Sequence, residues 1–373
     1  MALISTQIIA PDTAHWAQWI DSARSKERTT RDQARRFLNE LLNRGRIPLL
    51  SWHHIEELIC IGNESVALER IEFIQSLPFV AWLSPFDGVN SPGSIADILT
   101  GELIAAIDGN SDPTSVRSHA LNLMLRTGAG KAALGLNAAN WHFIRTHLLE
   151  RRQHSNLIAA LAPLNFFDEK RTIGEISKWK FRSAAERVNK FNTIRNRVRD
   201  ELLASTGCTQ QEAETMADNF IAPAYAIHLP GGTSVRDFIV SKLAAQGVDP
   251  DEVRDECVLA DLNRLAIYRN QLRVVAPKTG RTFEQLKHIS MEILPSRIIK
   301  HALETHRQVR QKRTGSDVTD NYLAALAAYS DFLYVDKRTA EDFRRAISKN
   351  PSMAGIIGKI QKAKHFTDLA FET

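Results

Sequence analysis

The chain has 373 residues, of which 43% are hydrophobic and 24% charged, with a formal net charge of +5 at neutral pH. This composition excludes a disordered, collagen-like or disulfide-stapled chain, and the length suffices for two domains or one domain with a large insertion. Cys60, Cys208 and Cys257 are the three cysteines; they lie far apart, match neither a zinc spacing nor a paired framework, and lead us to expect a reducing, cytoplasmic setting.

In chain order, "LISTQIIA" at 3–10 reads as a strand ended by Pro11, with Asp12 just past it. A helix from about Thr13 and another over Thr30–Arg44, stopped by Gly45, come next. "IPLLS" at 47–51 is a short apolar strand that passes into a helix carrying Glu56 and Glu57, and a helix over 64–76 and the strand "FVAWLS" at 79–84 complete a β-α-β-α-β series. From about 90 to 290 helical periodicity dominates, which we read as an all-α insertion. A helix from Ser296 to Arg313, a second from about Val318, the buried strand "FLYV" at 332–335 and a helix from about Thr339 restore the alternation. The expected domains are therefore 1–90 and 291–373, two parts of one α/β domain, with 91–290 inserted between them. Residues 1–10 lack the basic start and apolar core of a secretory signal, and no apolar run reaches the roughly 18 residues of a membrane span.

Four acids fall at strand ends or on inward helix faces. Asp12 follows the first strand and Asp336 the last; Asp320 shares its helix face with Leu323, Ala324 and Ala327. Glu57 is preferred over Glu56 because it lies closer to the side marked by Leu58 and Ile61. Asp317 reads equally well as an N-terminal helix cap. In a parallel sheet right-handed crossovers bring these positions to one edge. Two carboxylates about 4 Å apart repel by roughly 4 kcal/mol at an effective dielectric near 20. Such a cluster needs a proton or a hard divalent cation, Mg²⁺ or Mn²⁺.

The order "IIAPDT", "LLSWHHIEEL", "TDNYLAALAA", "FLYVDKR" resembles the PIN-like nuclease family. The resemblance covers the two outer pieces of the chain. It implies a three-layer α/β/α domain with a central parallel sheet, here interrupted by the helical insertion. It also implies a metal-dependent endonuclease acting most often on RNA, with Asp12, Glu57 and Asp320 as principal ligands and Asp336 in support; Asp317 is a further candidate ligand by its position alone. A toxin or phage-defence role and a DNA substrate stay open, as do a homodimer and an inhibitory or effector protein partner.

Charge distribution adds a polyanion partner. Between Lys170 and Arg199, ten Lys or Arg face only Glu175 and Glu186, interleaved with Trp179, Phe181 and Phe191. Lys178, Lys180, Arg182, Arg187, Lys190 and Arg195 are the expected nucleic-acid contacts here, and Arg310, Lys312 and Arg313 in the second basic stretch, "SRIIKHALETHRQVRQKR". A solvated helix whose aromatics face a core would give the same count. "LRTGAGKAAL" lacks the first glycine and final Ser or Thr of a phosphate loop and reads as a helix break, while "HHIEEL" and the His301/His306 spacing make no helical zinc pair. His53 and His54 are expected to be structural or near-site, and His15 lies beside Asp12. The competing reading of the whole chain is a nucleic-acid-binding or interaction module without catalysis.

Overall fold

The computed structural model describes residues 6–135, 137–161, 168–180, 183–205, 208–225, 234–306 and 322–371. They form two compact units, divided at Arg152/Gln153 and at Val274/Val275. In chain order the first unit begins with β1 (Gln7–Ala10), α1 (Thr13–Ala23), α2 (Arg28–Asn43), β2 (Arg46–Leu50), α3 (Trp52–Ile59), α4 (Glu64–Ser76) and β3 (Val80–Leu83). It continues with α5 (Ile95–Ile107), α6 (Pro113–Met124), β4 (Leu125–Gly128) and α7 (Gly130–Ala133). Helix α8 (Ala138–Leu161) runs through the first division, and α9 (Ile173–Ser177), α10 (Ala184–Ser205), α11 (Gln210–Tyr225) and α12 (Val235–Ala245) belong to the second unit. Helix α13 (Leu259–Thr279) runs through the second division, after which α14 (Phe283–Leu286), α15 (Pro295–His306), β5 (Phe332–Val335), α16 (Lys337–Lys349) and β6 (Lys359–Lys362) complete the first unit. These divisions differ from the boundaries at 90 and 290 expected from the sequence: α5, α6 and β4 go with the sheet.

The sheet has six strands among the described residues, in the order β4-β3-β2-β1-β5-β6. All pairs are parallel except β3–β4. The expected mixed α/β class is thus present, with a sheet that is mostly rather than wholly parallel. Side chains alternate between faces along each strand. Ile9, Leu50, Val80, Trp82, Phe332 and Tyr334 join one core with Trp16, Trp19 and Phe37 from α1 and α2. The alternate residues Ile8, Ala10, Leu49, Ala81, Leu83, Leu333 and Val335 are buried as well, so both faces of the sheet are covered. Burial of an aromatic or aliphatic side chain contributes about 1.5–3 kcal/mol each.

Two strands were unread in the sequence, and both are edges. β4 arises from the segment read as a helix break. It pairs antiparallel with β3 from Val80↔Gly128 to Leu83↔Leu125. Gly130 follows because a Cβ there would lie 1.8 Å from the Ile74 carbonyl oxygen, so this glycine of "TGAGK" serves close backbone packing against α4. β6 is the opposite edge, and its Lys359 and Lys362 are the charged residues that guard such strands from pairing with another chain. Gly45, at φ 71°, ends α2 as expected.

In the second unit one core is the α10–α11 pair, built on Val198, Leu202, Ala213 and Ala217. Another gathers Ile173 of α9 with Leu243, Val248, Val253, Leu262 and Ala266.

Candidate carboxylate site at the sheet edge

The parallel strands end together, at Ala10, Leu50, Leu83, Val335 and Lys362. Strand order reverses at β1, with β2 and β3 to one side and β5 and β6 to the other. The crevice beyond the carboxyl ends of the two strands at such a reversal is the usual ligand position in open α/β sheets. Asp12 leaves β1 there and Asp336 leaves β5. The β1–β5 register that sets them side by side, Ile9↔Phe332 and Ala10↔Leu333, is pinned from the other end by Asp331, whose Oδ2 accepts from the Ile8 N–H at 2.6 Å.

Each acid also caps the helix that follows it. Asp12 Oδ1 accepts from the Ala14 N–H at 3.3 Å, and Asp336 Oδ1 from the Thr339 N–H at 2.6 Å. Burial raises the Asp12 pKa above its ordinary value, and the charge of Asp336 pushes it the same way; the Ala14 N–H and His15 act against them. The two carboxylates therefore sense each other, and capping does not exhaust the acceptor capacity of either.

Asp12 lines a small pocket with Pro11, His54, Leu323, Ala324 and Thr339, among others. Asp317 and Asp320 lie outside the described residues. Leu323 and Ala324, three and four positions after Asp320, line that pocket, and Tyr322 stacks on His53 with ring centroids 4.7 Å apart.

Helix α3 contributes mainly its histidines. Ser51 caps it in a reciprocal box with His54, whose Nδ1 accepts from the Ser51 N–H at 3.0 Å. A backbone N–H can only donate, so Nδ1 is unprotonated and the neutral ring carries its proton on Nε2. Complete burial holds the His54 pKa down to about 3. The His53 Nε2 accepts from the Ile95 N–H at 3.3 Å, joining α3 to the start of α5. Glu56 Oε2 approaches His53 Nδ1 to 3.4 Å. Glu57 is half-buried and is not among the residues lining the Asp12 pocket. The sequence signal for His54 was there to be read: S-x-x-H occupies the positions of the usual S-x-x-E capping box. Asp97 was unread as well; it is buried and accepts from the Ser94 N–H and from Lys278 Nζ at 2.8 Å.

Among the described residues no three His, Cys, Asp or Glu groups converge closely enough to hold a metal ion. Asp12 and Asp336 come together, and the further acid expected beside them, Asp320, is outside the described set. The donor type still suits a hard cation, because carboxylate oxygens that repel one another are relieved by a divalent ion bound between them.

Farther from the edge in the same unit, Glu102 of α5 is wholly buried. It accepts from the Ser296 N–H at 2.7 Å, the Ser296 hydroxyl at 2.6 Å and the Tyr329 hydroxyl at 2.6 Å. Burial raises its pKa despite those donors.

Of the expected nucleic-acid contacts, Arg182, Arg310, Lys312 and Arg313 fall outside the described residues. Lys178, Lys180 and Lys190 are exposed and Arg187 is half-buried. Arg195 is committed to a fork with Asp218 of α11, at 2.5 and 2.9 Å. No helix among the described residues is long and apolar enough to cross a membrane. Compared with protein-family models, curated proteins and solved structures, the chain matches none.

Proposed function

We propose that the chain is a divalent-metal-dependent endonuclease hydrolysing phosphodiester bonds, with RNA as the favoured substrate. One observation carries this reading: Asp12 and Asp336 leave neighbouring strands where the strand order reverses, near enough for the charge of Asp336 to add to the burial that raises the Asp12 pKa. The resemblance of the four acidic segments to the PIN-like family supplies the reaction class. Asp12, Asp320 and Asp336, with Glu57 or Glu56 from α3, would hold Mg²⁺ or Mn²⁺. A bound divalent ion would neutralise these carboxylates, polarise the phosphodiester and stabilise the leaving oxygen.

The protein's own share is positioning. The α1 and α16 caps fix the backbone that carries Asp12 and Asp336. Buried neutral His54 packs under the Asp12 loop without adding a charge. The exposed Lys178, Lys180 and Lys190 of the second unit would contribute nonspecific attraction for phosphates. A second reading, a nucleic-acid-binding module without catalysis, draws on the same caps, since Asp12 and Asp336 would then be helix caps alone.

The test is cleavage of labelled single-stranded RNA, structured RNA and DNA by the purified chain with Mg²⁺, Mn²⁺ or chelator. Metal-dependent cleavage that Asp12→Asn and Asp320→Asn abolish is the expected result. Mn²⁺ should also raise the melting temperature of wild type more than that of Asp320→Asn, because a ligand stabilises only the state that binds it. No cleavage of any substrate together with equal metal shifts in both proteins would leave the capping account standing.

A further inference from the structure

Trp179 sits just past the end of a five-residue helix in the second unit and is 41% exposed, an unusual position for the largest apolar side chain. It is held firmly. Ile173 and Ile176 of α9 are buried, and Ile173 belongs to the unit's core. The Thr172 side chain caps the helix, the Ile173 N–H donates to the Cys257 carbonyl at 2.9 Å, and the Trp179 N–H donates to the Ile176 carbonyl at 2.9 Å. The indole is therefore displayed by a braced turn.

Its immediate chain neighbours are cationic. The Arg171 guanidinium lies over the ring at 5.5 Å from the centroid and is itself oriented by Asp168, at 3.3 Å. Lys178 and Lys180 flank Trp179 in sequence, and both are exposed. The same unit also exposes Tyr225, edge-on to Phe191 at 5.1 Å, beside basic α10. A lone exposed tryptophan would suit many partners. The flanking lysines, beside a ring already stacked by Arg171, select a partner that is both flat and anionic.

We infer that Trp179, with Lys178, Lys180 and Arg171, is a stacking platform for an unpaired base of a single-stranded nucleic acid. The base would lie on the indole while its neighbouring phosphates face the lysines. Paired bases in a duplex present no free face to such a ring, whereas every unpaired base does. The inference rests on the endonuclease reading only in naming nucleic acid as the ligand; it requires no cleavage.

Binding is measured for the full chain in chelator, with labelled oligouridine and with an RNA duplex. We expect oligouridine to bind more tightly. Trp179→Ala should weaken oligouridine about 10-fold, the loss typical of one stacked base, and leave duplex binding unchanged. Trp179→Phe should restore most of the affinity, a rescue that a general loss of structure does not predict. Lys178→Ala with Lys180→Ala should lower the salt slope by about 0.7 for each phosphate that the chain no longer neutralises. Equal oligouridine affinity in wild type and Trp179→Ala would overturn the inference, as would an equal effect of that substitution on duplex. Binding that behaves as expected in a chain that cuts nothing would overturn the endonuclease reading and leave this one intact.

Discussion

Among the described residues, pKa shifts caused chiefly by burial fall in the first unit, whereas those of the second unit come from hydrogen-bonded partners at the surface. In the first unit Asp12 and Glu102 are raised and His54 is lowered, in every case chiefly by burial. In the second, Arg195 is raised and Asp218 and Asp237 are lowered, each chiefly by a hydrogen-bonded partner on an open surface. Burial disfavours charge and pairing favours it. The buried groups of the sheet unit thus sit in unfavourable electrostatics, whereas the shifted groups of the helical unit are held in their charged forms by surface partners, as Glu27 and Glu341 on the surface of the sheet unit also are. Perturbation by desolvation in a crevice is the better pointer to chemistry.

The largest effect should come from the unfavourable electrostatics at the edge. Asp12→Asn is expected to lower metal-dependent cleavage at least about 100-fold, the scale of losing a carboxylate that binds the ion. It should leave metal-free stability equal or higher, since Asn remains a competent cap and one repulsion is gone. A variant that cuts as well as wild type would remove the contrast between the units.

Next in size is Glu102. Glu102→Ala strands the Ser296 N–H and both hydroxyls and opens a cavity, so urea unfolding should show a loss of about 3 kcal/mol. Glu102→Gln, which imitates the protonated acid, should cost about 1 kcal/mol. The two should also differ with pH. A raised folded-state pKa means that this carboxyl's contribution is fully present below the ordinary value of 4.5 and fades as pH rises toward the folded value. Wild type should therefore lose stability relative to Glu102→Gln across that window, and parallel pH profiles would show that burial does not control this group.

The smallest effect belongs to the helical unit. Arg195→Ala breaks the fork with Asp218 on an open surface. Its melting temperature should stay close to wild type, since exposed pairs contribute little. A marked drop would make that pair structural and blur the contrast.

What the sequence disclosed follows the same division. β5 coincides with the expected "FLYV" run, and Asp336 stands at its end, because a central strand buried on both faces must be apolar throughout. β4 and β6 carry no such signal: residues such as Arg126 and Lys359 are exposed, and an edge can be polar. The helices after residue 90 look alike in sequence. What ties α5 to the sheet unit is a contact invisible to periodicity, the Ile95 N–H donating to His53 of α3 at 3.3 Å. The ten-to-two basic count was true of α10 and its approach, but Glu214 and Asp218 of the partner helix α11 lay beyond the window. The strand before Asp12 was legible; a preference between Glu56 and Glu57 was not, since both are half-buried.

The pairing of β1 with β5 also sets a schedule. The Ile8 N–H meets the Asp331 carboxylate across 323 positions of sequence, so the two central strands close one of the longest loops the chain can form, and loops of this kind are slow to join. On a ribosome adding roughly 5–20 residues per second, the β1–β3 portion would wait about 12–50 s for its missing neighbour while the helical unit folds on its own. Throughout that interval β1 has an open side, and Asp12 has no Asp336 opposite it. The carboxylate pair is assembled last, so a nascent chain would be without this pair during most of its own synthesis.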